Sequence, residues 1–366
     1  MTMFDSEVAA VAERLAGREG RGILAADEST GTIGKRFVAV GVENTEDNRR
    51  KYRELFCTAD VGDFFSGVIL FKETLYQSAS DGVPLVQHLA RRGIAAGIKV
   101  DEGLEPVEGG REGETHTKGL AGLYERCVEY KKAGASFAKW RAALKVSPTD
   151  LPSEVAVETN AAELAEYAAI CQRAGLCPIV EPEILLDGDH SIDRFEEVTT
   201  RVVQAVTRAL WRHNVALEGS LLKPQMVTPG ADWPGAKPAP EEVAERTLRA
   251  LRRSLPAAVP GVMFLSGGQT EEEATANLNA INVARRAEGS RAPWGCSFSF
   301  GRALQASVLK IWSADMAATD EAQRMAAALA RANAAAVRGE WDGTHPSLLG
   351  GKALTETFRG HTSHKP

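Results

Sequence analysis

The sequence predicts an α/β fold in which eight parallel strands close into a (β/α)8 TIM barrel. Short apolar runs alternate with long amphipathic helical patterns, the runs number eight, and most end in a charged or polar residue. The runs are GILAAD (22–27), GVILFK (67–72), AGIKVD (96–101), FAKWR (137–141), PIVEPE (178–183), EGSLLKP (218–224), VMFLSG (262–267) and WGCSFSFG (294–301). Strands separated by helices need crossover connections and so run parallel. Eight such units can close the sheet on itself and leave no edge exposed. An open doubly wound sheet is the competing arrangement, and the lack of a GxGxxG after the first run counts against it.

Each element has a local reason. The opening MTMFDSEVAAVAERLAGREG reads as a short amphipathic helix carrying Asp5, Glu7 and Glu13, without the basic start and apolar run of a signal peptide. The spacer 28–66 is long enough for extra helices. Asn160 is expected to open the helix ELAEYAAICQRAG, which stops at Gly175, and Thr270 with Glu273 makes a capping box before ATANLNAI. A last helix is expected over about 320–338, ending at Gly339. Residues 1–342 then form one barrel domain, and the Gly-, His-, Thr- and Pro-rich segment 343–366 a mobile tail.

Composition narrows the function. A chain of 366 residues with 44% hydrophobic and 25% charged residues has the profile of a soluble globular protein. A formal net charge of −6 argues against a nucleic-acid partner, which would call for surplus Lys and Arg. No stretch approaches the ~18 apolar residues of a membrane span. Cys57, Cys127, Cys171, Cys177 and Cys296 are odd in number and show no CxxC, as expected of reduced core thiols in a cytoplasmic protein.

In a parallel barrel the active site lies at the carboxyl ends of the strands. Seven of the eight runs put polar residues there: Asp27, Lys99 with Asp101, Lys139 with Arg141, Glu181 with Glu183, Lys223, Ser266, and Arg302 one residue past the last run. Alternation points residues i and i+2 the same way, so each pair can converge on one cavity. A zinc site would ask for His or Cys clusters, whereas His88, His116, His190, His213, His345, His361 and His364 fall in loops, helices or the tail, none on a strand. Magnesium could use Glu181 and Glu183, but lysines in the same cavity would compete with the ion.

Amine chemistry remains. Lys223 closes the apolar stretch Gly219-Ser220-Leu221-Leu222, where an unpaired ammonium would cost several kcal/mol. Desolvation and a second ammonium, for which Lys139 is the candidate, lower a lysine pKa until the free amine attacks a carbonyl to give a Schiff base. Glu181, Glu183 and Asp27 are candidates for the proton transfers. LSGGQT (265–270) and FSFGR (298–302) place Ser, Gly and Arg after strands seven and eight, where barrel enzymes often bind phosphate. Ser29, Thr32, Lys35 and Arg36 in STGTIGKR could hold a second anion. Two phosphate sites across a carbonyl-active lysine describe a bisphosphorylated sugar.

LAADESTGTIGKR, GVILFKETLYQ, GIKVDEG, FAKWR, PIVEPEIL, LEGSLLKPQMV, FLSGGQTEEEA and FSFGRALQAS together resemble class I fructose-1,6-bisphosphate aldolase, in order, from residue 22 to about 312. The resemblance implies a cytoplasmic, metal-independent lyase of glycolysis and gluconeogenesis that needs no cofactor. It splits fructose 1,6-bisphosphate into dihydroxyacetone phosphate and glyceraldehyde 3-phosphate. It implies Lys223 as the Schiff-base lysine, Glu181 as acid/base for the imine, and Asp27 as base for carbon–carbon cleavage. Lys139 would stabilise charge and Glu183 orient the lysines. Ser266, Gly267, Gly301 and Arg302 would grip the phosphate nearer the carbonyl, with Ser29, Thr32, Lys99 and Arg141 at the distal end. Family members are commonly homotetramers. A non-catalytic sugar-phosphate or cytoskeletal scaffold on the same barrel is the alternative, which loss of Lys223 or Glu181 would have favoured; a transaldolase-like barrel is disfavoured by the paired phosphate loops. Animal members of the family end in a tyrosine that assists proton exchange. This chain ends HTSHKP with no tyrosine after Tyr167, leaving slower release of the second product or a substitute such as His361 or His364. Thr32 keeps the hydroxyl where many relatives have serine.

Overall fold

A computed structural model describes residues 3–348. Eight strands form a closed parallel barrel: β1 (Gly22–Ala26), β2 (Phe65–Leu70), β3 (Ala95–Lys99), β4 (Phe137–Leu144), β5 (Cys177–Ile184), β6 (Leu221–Leu222), β7 (Gly261–Phe264) and β8 (Gly295–Phe300). Each strand pairs with the next in the chain, and β8 returns to β1 through Ile23↔Ser299 and Leu24↔Phe300. Each of the eight predicted runs contributes a barrel strand. The spacer after β1 holds helices Thr30–Ala39 and Glu46–Thr58, and the last helix spans Thr319–Val337.

Two apolar cores follow from the alternation of side chains. The larger lies between the strands and their helices. The smaller fills the barrel floor with Ile23, Ala25, Ile69, Ala95, Phe137, Cys177, Ile179, Leu221 and Met263, and is closed from below by Val8, Ala12, Leu15 and Ala16. The N-terminal helix Met3–Leu15 is therefore a plug for the open end of the barrel. Gly97 leaves room for this layer, since a Cβ there would lie 2.2 Å from the Phe137 ring.

Three expectations need correction. Asn160 does not open its helix, which runs Glu154–Arg173 with Ser153 as N-cap, its Oγ accepting from Ala156 N at 3.2 Å. Asn160 is buried in mid-helix and donates to Thr115 O at 2.8 Å and Ala156 O at 2.9 Å. The apolar stretch before Lys223 is mostly not strand: Leu217–Gly219 makes a 3-10 turn, and Ser220 Oγ donates back to Leu217 O at 2.9 Å, leaving Leu221–Leu222 extended. His116 does sit on a strand, in a two-stranded antiparallel ribbon of Leu104–Pro106 and Thr115–Thr117 outside the barrel.

The five cysteines are buried as free thiols, with the Cys127 and Cys171 sulfurs 3.7 Å apart. Among the described residues no helix is long and apolar enough to cross a membrane. Part of the expected tail is packed: Ser347 Oγ donates to Glu271 at 2.7 Å and Leu348 N to Ser307 Oγ at 3.1 Å. The rest of it, including His361 and His364, lies outside the described residues.

Candidate active site

The apolar floor decides which side chains reach the top of the barrel. Phe137 points inward, so Lys139 and Arg141 do as well; Ile179 carries Glu181 and Glu183 with it, Leu221 carries Lys223, and Ala25 carries Asp27. The ladder sets their heights, pairing Lys99 with Lys139, Arg141 with Glu181, and Ala143 with Glu183. Strand parity thus puts the apolar floor and the ionic groups above it on the same inward face.

Lys139, 4% exposed, lies at the centre. Its Nζ is 2.8 Å from Asp27 Oδ2, 3.2 Å from Glu181 Oε2 and 3.9 Å from Asp101 Oδ2. The other oxygen of Glu181 lies 3.1 Å from Lys223 Nζ, so one carboxylate bridges the two ammonium positions. Lys99 Nζ binds Asp101 Oδ1 at 2.6 Å, and Arg141 pairs with Glu183. Lys223 is 3% exposed, on an otherwise apolar strand end.

Asp27, Lys139 and Glu183 are held ionised by their neighbours. Burial alone would raise the Asp27 carboxyl, but the ammonium groups of Lys139, Lys223 and Lys99 bring it down to about 2. Burial would lower Lys139, and Asp27, Glu181 and Asp101 more than offset it, so its pKa is raised and it stays a cation. Glu183 is held below its usual value, against burial, mainly by Arg141. Among the described residues no group of three or more His, Cys, Asp or Glu side chains is placed to hold a metal ion. The space among Asp27, Asp101 and Glu181 is filled by the Lys139 ammonium.

All thirteen predicted residues, Asp27, Ser29, Thr32, Lys99, Lys139, Arg141, Glu181, Glu183, Lys223, Ser266, Gly267, Gly301 and Arg302, line one cavity of about 750 Å³. On one side Gly301 precedes helix Arg302–Ala314, whose first turn has no side-chain cap among the described residues, and Ser266 and Gly267 follow β7. A helix N-terminus beside a glycine loop and an arginine is suited to a phosphate. Across the cavity Ser29 caps helix Thr30–Ala39, its Oγ 3.0 Å from Thr32 Oγ1, so its hydroxyl has a structural task too. Arg36 is tied to Glu28 at 2.5 Å.

Some lining residues had no predicted role. The sequence marks Asp101 as a strand-end charge, but its contacts with both Lys99 and Lys139 emerge only when β3 and β4 are side by side. Ser299 is buried and lines the cavity, its Oγ without a hydrogen-bond partner among the described residues. Its signal was available: it lies two residues before Gly301 on β8, on the same face. Tyr130 reaches the rim from helix Leu123–Lys132, and nothing in the local pattern marks it.

The chain matches the family described as "Fructose-bisphosphate aldolase class-I" over residues 7–358. It is 54% identical over 328 residues to "Fructose-bisphosphate aldolase 4, cytosolic" of Arabidopsis thaliana, covering 89% of this chain and 82% of that protein. It is 55% identical over 308 residues to "Fructose-bisphosphate aldolase C-A" of Danio rerio, covering 82% and 83% of the two chains. A solved structure of fructose-bisphosphate aldolase from Plasmodium falciparum, in complex with TRAP and a small-molecule inhibitor, superposes with a TM-score of 0.89. It shares 48% identity and covers 94% of this chain and 97% of that one. A buried lysine bridged by a carboxylate to a second lysine, at the mouth of a barrel that matches these proteins nearly end to end, leads to one conclusion: the chain belongs to the class-I fructose-bisphosphate aldolase family.

Proposed function

We propose that the chain cleaves fructose 1,6-bisphosphate reversibly into dihydroxyacetone phosphate and glyceraldehyde 3-phosphate through an imine on Lys223. The observation that carries this is the Lys223–Glu181–Lys139 bridge, with Nζ to carboxylate distances of 3.1 and 3.2 Å. The Lys223 amine adds to the ketone carbon, and Glu181, within reach, supplies the proton that lets the carbinolamine oxygen leave as water. The cationic iminium withdraws electrons. Asp27, ionised at neutral pH, takes the proton of the substrate hydroxyl, that oxygen becomes the aldehyde, and the α–β carbon–carbon bond breaks with its electron pair moving into an enamine. Protonation of the enamine carbon and return of water free the second product.

Lys139, fixed as a cation, stabilises the developing negative charge and holds Asp27 and Glu181 in place. Glu183 fixes Arg141 and contributes to the field on Lys223. Ser266, Gly267, Gly301 and Arg302 bind the phosphate nearer the carbonyl, while Ser29, Thr32, Lys99 and Arg141 meet the distal end. The relatives named cytosolic support a cytoplasmic location, and family resemblance supports a homotetramer, which light scattering of the purified protein would read directly.

The test is covalent trapping. Borohydride added with dihydroxyacetone phosphate should leave a stable adduct on the peptide carrying Lys223, and Lys223→Met should abolish both adduct and turnover. No adduct on the wild-type protein, or turnover by the methionine variant, overturns the assignment.

A further inference from the structure

Gln225 lies two residues after Lys223 on the chain leaving β6, and it is 5% exposed. Among the described residues both its amide nitrogen and its amide oxygen lack a hydrogen-bond partner. Burying an amide with neither end paired is costly, so such a group in a functional region points to a partner that arrives later. Its neighbour is informative. A Cβ built on Gly267 would lie 2.4 Å from Gln225 Nε2 and 3.2 Å from its Cδ, so the amide presses on the backbone of the loop after β7. Gly267 has φ +24°, and Leu265 N donates to Pro224 O at 3.0 Å, which laces the two loops together just below. Gln225 is not among the residues that line the cavity, whereas Gly267, against which it packs, is.

We infer that Gln225 is a positioning residue that backs the Ser266–Gly267 loop and holds the phosphate subsite at the right distance from Lys223. The amide takes up its hydrogen bonds with the peptide groups of this loop when a phosphate orders it. Lys223 and Gln225 sit two residues apart, so the same short segment that supplies the nucleophile also sets where the phosphate is gripped. The inference rests on Lys223 being the imine-forming residue, and it deepens that assignment by naming what links the amine to the recognition of a phosphorylated ketone.

The experiment compares two ketones. Wild-type protein and Gln225→Leu are each treated with borohydride and either dihydroxyacetone phosphate or dihydroxyacetone, which lacks the phosphate, and adduct formation is followed by mass against ketone concentration. The leucine variant keeps the volume but loses both amide groups. It should need about 10-fold more dihydroxyacetone phosphate for half-maximal trapping, a loss of the size of one hydrogen bond, while its response to dihydroxyacetone stays within about 2-fold of wild type. Equal weakening toward both ketones, or no change toward either, overturns the inference. Gln225→Glu, which keeps shape and one acceptor oxygen but brings a negative charge to the loop, should shift the phosphorylated ketone further than leucine does; a variant indistinguishable from wild type would also overturn it. Failure of the wild-type protein to trap either ketone would instead count against the imine on Lys223.

Discussion

Replacing Lys139 by methionine removes one ammonium from among three carboxylates and keeps a side chain of similar length. In the native protein that ammonium lies 2.8 Å from Asp27 and 3.2 Å from Glu181, with Asp101 at 3.9 Å. Asp27 is depressed from 3.8 to about 2, and at about 1.36 kcal/mol per unit this amounts to some 2–3 kcal/mol of folding stability. The sign is that of a lowered carboxylate: the contribution is complete above the unfolded value near 3.8 and disappears as the pH falls through about 2. Without Lys139 the burial that opposes ionisation prevails, and the crowded carboxylates repel one another at neutral pH. Breaking a buried ion pair on one side costs about 3–5 kcal/mol, so Lys139→Met should destabilise the protein by about that much near pH 7.

The difference should not be constant. As the pH falls, the variant's carboxylates take up protons first and their repulsion vanishes, while the wild type loses its Asp27 contribution. The gap between the two proteins should therefore shrink to about 1 kcal/mol by about pH 3. Urea unfolding curves at a series of pH values read both numbers. A gap unchanged between neutral and acid pH would refute the claim that Lys139 acts on these carboxylates by its charge. Turnover should fall by about 10²–10³, the scale for losing one preorganised charge at a reacting centre, and Lys139→Arg should recover stability more than rate, since a fork of donors does not place one nitrogen as an ammonium does.

Three further outcomes follow from the same geometry. Arg302→Ala removes the charge beside the uncapped helix start and should raise the KM for the bisphosphate about 10- to 100-fold with a smaller effect on kcat, measured by steady-state cleavage. Tyr167→Phe takes away one hydroxyl that donates to Ala138 O at 2.8 Å and Ile179 O at 3.2 Å, carbonyls one residue before Lys139 and two before Glu181; it should cost about 1–3 kcal/mol in thermal unfolding, and an unchanged stability would show that the bridge between β4 and β5 carries nothing. A chelator in excess should leave the cleavage rate unchanged, and a loss restored by a divalent cation would contradict an imine route that runs on Lys223 alone.

What could be read without coordinates divides along physical lines. Strand parity has a period of two, so once Phe137, Ile179 and Leu221 are taken as floor residues, the inward direction of Lys139, Glu181 and Lys223 follows with no knowledge of the neighbours. The capping box at Thr270 and Glu273 is equally local, and it forms as expected. Asn160 shows where such local signals fail: an amide that can cap a helix can also serve in mid-helix if a carbonyl stands opposite, and Thr115 O comes from a ribbon 45 residues away. The same limit hid Asp101, which acquires its second lysine only through the pairing of β3 with β4. It also hid the plug formed by Met3–Leu15, because amphipathicity tells that a helix has an apolar face but not which surface covers it. Site residues of this enzyme are legible where an ion ends an apolar strand, since there the cost of burial needs an explanation. Groups that act through neutral contacts, such as Tyr167 and Gln225, create no such conflict in the linear chain. They become visible only as a hydroxyl shared by two strands, or as an amide left unpaired behind a glycine.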